Sequence, residues 1–210
     1  MQPFRSVTGA AAPLPAANID TDVIMPKQFL KGVDRSGLDR GVFYDLRFDA
    51  AGGLRPDFVL NQTPWRNAAF LVVGPNFGCG SSREHAVWGL AQLGVRALIG
   101  TSFGGIFFDN CARNGLLAVE LPPEAHALLL EAASDPARLR MTIDLQSQTI
   151  ASGGLLTGFE IEPSRRQALL DGLDAVGATL ARGGEIRAFE ARHLRAAPWL
   201  MAPGSEGNRR

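Results

Sequence analysis

The sequence predicts an α/β fold, on three observations. From residue 69 onward, short apolar runs rich in β-branched residues alternate with segments whose apolar residues recur at helical spacing. That succession builds parallel strands with helices packed on them. Between the first such strand and the first such helix stands a glycine-rich loop, within GPNFGCGSSREHA at 74–86. A chain of 210 residues with 46% hydrophobic content is long enough to bury one good core.

The elements follow in order. Residues 4–8 read as a first strand, and Pro15, Pro26, Gly32, Gly37, Gly41 and Gly52-Gly53 punctuate an irregular stretch to about residue 63. Strand 69–73 (AFLVV) leads to a helix over 82–93, then strand 96–99, helix 103–113, strand 116–120 and helix 123–133. Two β runs, 140–145 and 148–151, are joined by a tight turn, with 159–162 as a further strand of the same sheet. Pro163 opens a helical tail with Leu169, Leu170, Leu173 and Val176 on one face, and a further helix covers 185–193. The expected organisation is a domain over 1–162, a helical extension over 163–201 packed on it, and a disordered polar end at 202–210.

Twenty-one basic and 21 acidic residues cancel to a formal charge of zero, which offers no footprint for nucleic acid or an anionic membrane. No run of 18 apolar residues is present, so neither export nor membrane anchoring is expected, and the two cysteines, Cys79 and Cys111, lack metal-ligand spacing. A reducing cytoplasm is the expected location.

Strand, glycine loop and helix together leave backbone N–H groups and a positive dipole end facing an anion, a carboxylate or a phosphate. Dinucleotide binding is disfavoured because Arg83 stands where the third glycine belongs and strand 96–99 is followed by no acidic residue; a P-loop would need a lysine, and none is near. Ser81 and Glu84 have capping-box spacing, which leaves Ser82, Arg83 and the doubled glycine unexplained. Arg83 has the planar fork that clamps a carboxylate, with Ser82 and the amides from Gly80 onward as further donors. A cation at a helix N-terminus opposes the dipole, and a bound anion would repair the mismatch. Cys79 and Cys111 read as small buried packing residues; a Cys79–His85 nucleophile pair is the minor alternative, without a third orienting group. Asn18, Asp20 and Asp22 alternate like a calcium loop but lack its glycine and closing glutamate.

NFGCGSSREHA, NIDTDVIMPKQFL at 18–30 and SFGGIFFDNCARNGLL at 102–117 together resemble the small subunits of bacterial 3-isopropylmalate dehydratases, in the aconitase superfamily. The resemblance reaches from the N-terminal strand to about Trp199. It implies a three-layer β/β/α swivelling domain with a C-terminal helical extension. It also implies a hydro-lyase that swaps a hydroxyl between 2- and 3-isopropylmalate through isopropylmaleate, in leucine biosynthesis. The superfamily's 4Fe–4S cluster needs at least three thiolates where cysteines hold it, so two cysteines place it on a large partner subunit, and this chain holds no metal.

By the family motif Ser81 is the base that takes the proton from carbon. Lowering a hydroxyl from about 15.7 to about 7 requires about 12 kcal/mol, against at most about 2 from a helix N-terminus. Arg83, a closed site and the partner's metal centre must supply the rest, so the isolated chain is expected to be inert. Glu84 and His85 are expected to hold Arg83 and its loop by hydrogen bonds. Asp22 either caps a turn or, as the resemblance implies, orients cationic groups beside the site. Lys27, Phe29 and Leu30 face the substrate's variable side chain by the same resemblance, where an apolar contact suits an isopropyl group. Phe103, Ile106, Phe107 and Phe108 read as one buried helix face, and Gly104-Gly105 departs from the alanine-acidic pair of this branch, at a cost of about 1 kcal/mol of helix stability per glycine. A related citramalate or dimethylmalate dehydratase, and a non-catalytic dicarboxylate-binding domain, are the alternatives.

Overall fold

One nine-residue strand organises the sheet of the computed structural model, which describes residues 1–32 and 35–200. In chain order the elements are β1 (Ser6–Leu14), α1 (Thr21–Ile24), α2 (Tyr44–Arg47), β2 (Phe70–Val73), α3 (Glu84–Gln92), β3 (Ala97–Gly100), α4 (Gly105–Arg113), β4 (Leu117–Glu120) and α5 (Pro123–Ser134). They continue with β5 (Arg140–Asp144), β6 (Thr149–Ser152), β7 (Leu155–Gly158), α6 (Pro163–Asp171), α7 (Ala175–Ala181) and α8 (Gly183–Ala196). The seven strands run in the order β4-β3-β2-β1-β5-β6-β7.

The two halves of β1 serve different partners. Ser6 to Ala10 pairs antiparallel with Asp144 to Arg140 of β5, and Ala11 to Leu14 pairs parallel with Phe70 to Val73 of β2. The strand therefore runs well past the expected 4–8, because its second half, made mostly of small residues without a β-branched signal, is held by its neighbours rather than by propensity.

Leu71, Val73 and Leu98 face one core with α1, α3 and α4 residues such as Ile24, Leu90 and Phe107. Phe70, Val72, Ala97 and Ile99 face another, which they share with Met141 and Ile143 of β5, Ile150 of β6 and Leu129 of α5. The antiparallel part thus closes over one face of the parallel part while α3 and α4 cover the other, giving three layers. Both faces of β2 and β3 are buried, which is why they read as continuous apolar runs.

Two expected elements are corrected. The last strand is β7 at 155–158 rather than 159–162, because Gly153 and Gly154, both at positive φ, make a two-residue turn that pairs Ser152 with Leu155. Phe159 instead enters the core, 6% exposed. The apolar face expected across Leu169, Leu170, Leu173 and Val176 is interrupted at Gly172, whose left-handed backbone ends α6.

Residues Met1–Gly172 form one compact unit, with α6 packed on α4, and Leu173–Arg210 form a second that contains α7 and α8. The expected disorder at 202–210 lies outside the described residues. Among the described residues no helix is long and apolar enough to cross a membrane.

Candidate active site

Three loops leaving the C-terminal ends of the parallel strands β1, β2 and β3 meet at one edge, the usual place for a ligand crevice in such a sheet. The glycine loop after β2 lies in the middle. On one side the Asn18 amide donates to Pro75 O (2.9 Å), Gly78 to Ile19 O (2.7 Å) and Thr21 to Cys79 O (3.0 Å). On the other side Phe77 donates to Ser102 O (3.3 Å), and Gly104 to Phe77 O (2.9 Å). Asn76 adds a side-chain bond to Asn18 Oδ1 at 2.8 Å.

Two glycines make this approach possible. Gly78 has φ +73°, and a β-carbon there would lie 2.2 Å from the Phe107 ring. At Gly104 a β-carbon would lie 2.5 Å from Gly78 O, whereas at Gly105 it would meet open space. Gly104 is the N-cap of α4, so the expected helix-interior cost of the glycine pair does not fall on it; its place is explained by loop packing.

The helix expected from residue 82 starts at Glu84, with Arg83 as an N-cap lacking a side-chain bond. The capping box does not form. Glu84 instead accepts from Asn114 Nδ2 of the α4 C-cap (3.1 Å), and Asn114 Oδ1 accepts from Trp88 Nε1 (2.8 Å), so the first turn of α3 is tied to α4. Gly80, Ser81 and Ser82 are exposed. Neither serine hydroxyl makes a hydrogen bond among the described residues, while the Ser81 carbonyl accepts from the buried Thr21 Oγ1 at 2.8 Å.

Arg83 forms an ion pair through Nη1 with Asp22 Oδ1, across 61 positions of sequence. Its side chain is 15% exposed and that of Asp22 is 42% exposed. The anion expected to offset the unfavourable helix position of Arg83 is, on this side of the guanidinium, a carboxylate of the chain itself. Turn capping falls to Asp20, whose Oδ1 accepts from the Val23 amide (2.8 Å) at the start of α1.

The remaining expected site residues are dispersed. His85 lies against the Trp88 ring (4.8 Å between centroids), and among the described residues neither it nor Glu84 hydrogen-bonds to Arg83. Lys27 is exposed and Leu30 half-buried in a 3-10 turn at Lys27–Leu30, where Phe29 and Leu30 pack on the α-side core. Neither Lys27 nor Leu30 makes a hydrogen bond or ion pair to the loop among the described residues. Phe103 and Phe107 are buried but Ile106 is 57% exposed, so the aromatic run is not one buried face. Cys79 is half-buried; Cys111 is fully buried, and burial pushes its thiol well above the ordinary value. No group of three metal-ligating side chains occurs among the described residues. Thr21, Asn76 and Asn114 were not anticipated, since each acts through a partner distant in sequence.

The aconitase C-terminal domain family matches residues 1–124, and the family of the C-terminal domain of 3-isopropylmalate dehydratase small subunits matches 176–202. A 3-isopropylmalate dehydratase small subunit 1 of Mannheimia succiniciproducens is 54% identical over 95% of this chain and 99% of its own length. The chain belongs to the 3-isopropylmalate dehydratase small-subunit family. Family members from Salmonella typhimurium (52% identical over 98% of this chain and 99% of the relative) and Caulobacter vibrioides (50% over 96% and 100%) match as fully. A crystal structure of a 3-isopropylmalate dehydratase of Methanocaldococcus jannaschii shares the fold, with a TM-score of 0.64 at 24% identity over 88% of this chain and 99% of that one.

Proposed function

We propose that the chain is the small subunit of a hetero-oligomeric hydro-lyase of leucine biosynthesis that interconverts 2-isopropylmalate and 3-isopropylmalate through isopropylmaleate. The observation that carries this reading is an exposed serine hydroxyl and an oriented guanidinium on one loop, in a chain that belongs to the small-subunit family.

The superfamily's 4Fe–4S cluster does not fit this chain's own residues. There are two cysteines where at least three thiolates are needed, and Cys111 is fully buried and held protonated by its surroundings. The cluster is therefore assigned to the large subunit, and the steps given to this chain are those of its own side chains.

Arg83 keeps Nε and Nη2 for a substrate carboxylate while Asp22 fixes its plane through Nη1. Ser82 and the Gly80 amide add donors. Ser81, as the alkoxide, takes a proton from one carbon as hydroxide leaves its neighbour, and the electron pair of the broken C–H bond becomes the double bond of isopropylmaleate. Return of the proton and hydroxide to exchanged carbons gives the isomer. Ser81 stands ahead of the first helical residue, so the dipole contributes little and a dry, cation-rich closed complex must stabilise the alkoxide.

The substrate test compares branched and unbranched alkylmalates in the reconstituted complex. Isopropylmalate should exceed citramalate in kcat/KM by at least about 10-fold, since each methylene in an apolar pocket is worth about that much. Preference for citramalate would make this the small subunit of a related dehydratase, and tight binding without turnover would make it a dicarboxylate-binding domain.

A further inference from the structure

The second unit has helices but almost no interior. Among its described residues Ala197 alone is buried, while Val176, Leu180, Ile186, Phe189, Trp199 and Leu200 are 41–79% exposed. Val176 and Leu180 lie one turn apart on α7. Ile186 and Phe189 of α8 line a groove of about 650 Å3 with Ala178 and Arg182, on a different face of α7 from Val176 and Leu180. A helical unit bare on two faces cannot offset its ordering entropy from its own contacts.

We infer that α7–α8 is an arm that docks on the large subunit, which covers these faces in the complex; this rests on the two-chain reading above. The aconitase C-terminal domain family matches 1–124, whereas the family named for the small subunit matches 176–202, the stretch that carries the bare apolar side chains. A domain tethered within one chain meets its partner domain at millimolar effective concentration without a dedicated surface. A separate subunit loses that tether and must hold its partner by contact.

Two aromatic and four aliphatic side chains at these exposures present on the order of 500 Å2 of apolar surface. A stable interface buries about 800 Å2 on each partner, somewhat over half of it apolar, so the arm presents about what one such interface needs. The groove walls, Ile186 and Phe189 with Arg182, Glu185 and Arg192 at the sides, suit an apolar side chain of the partner set in a polar rim.

Binding of the 210-residue chain to the purified large subunit, by titration calorimetry, tests the inference. The double variant Leu180→Asp, Phe189→Asp should bind at least about 30-fold more weakly, the loss typical of a central anchor, yet reach the wild-type turnover when added at saturating concentration. Trp199→Ala alone should weaken binding in the same direction and guards against misfolding of the double variant, whose circular dichroism should match wild type. Ser81→Ala should bind like wild type. A double variant with wild-type affinity would overturn the inference, as would a wild-type chain that is a dimer by light scattering and becomes monomeric in the double variant. A complex that forms through the arm but leaves isopropylmalate untouched would instead sink the catalytic reading alone.

Discussion

Replacing Asp22 by Asn removes the charge facing Arg83 while keeping the shape of the side chain and an acceptor oxygen. Two unit charges 4 Å apart attract by about 4 kcal/mol at an effective dielectric constant near 20 and by about 1 kcal/mol in water. Arg83 is nearly enclosed, at 15% exposure, but Asp22 is 42% exposed, so solvent screens the pair and places its coupling at about 1–2 kcal/mol. A double-mutant cycle on the chain alone, with Asp22→Asn, Arg83→Gln and both together followed by urea unfolding, reads that coupling without a partner. The double variant should lose at least about 1 kcal/mol less than the sum of the single losses. In the reconstituted complex Asp22→Asn should lower kcat about 10-fold or more with a smaller change in KM, because the guanidinium still binds but is no longer aimed. Additivity within about 0.3 kcal/mol would show that the two side chains do not support each other and would refute the positioning role of Asp22.

Gly78→Ala should destabilise the chain by about 2–4 kcal/mol, since the new β-carbon meets both a left-handed backbone and the Phe107 ring 2.2 Å away. A thermal melt within a degree of wild type would contradict this. Glu162, which caps α6, is held below its ordinary 4.5 first by the Ser164 hydroxyl and then by the Ser164 and Arg165 amides. The unfolded chain therefore takes up this proton first as pH falls; the stabilisation is complete above about pH 4.5 and is lost as pH drops through the lower folded value. Glu162→Gln should accordingly flatten the acid side of a urea-midpoint profile between pH 3 and 6, and parallel profiles would count against it.

The parallel core and the glycine loop were legible because their signals are local. Continuous apolar runs mark β2 and β3, helical spacing marks α3 and α5, and the Gly-Ser-Ser-Arg string marks the loop. What escaped depends on distant partners. The second half of β1 is held by β2, and the first turn of α3 is tied to Asn114, 30 positions from Glu84. Asp22 and Asp20 look alike in sequence, and only the fold decides that one pairs with Arg83 and the other caps α1. Gly104 looked like a weakened helix because the Gly78 carbonyl it accommodates lies on another loop. The Gly153-Gly154 hairpin was the exception, a local turn signal that was available and went unused, so the last strand was expected at 159–162 rather than at Leu155–Gly158.

The most direct measurement mixes the purified chain with an anaerobically prepared large iron-sulfur subunit and follows isopropylmaleate absorbance for wild type, Ser81→Ala and Arg83→Lys. The chain alone should show no turnover, the mixture should turn over, and both variants should lose about 100-fold or more, since Ser81 moves the proton and lysine lacks the two-pronged grip on a carboxylate. A mixture that turns over equally well with Ser81→Ala would contradict the shared site at its base.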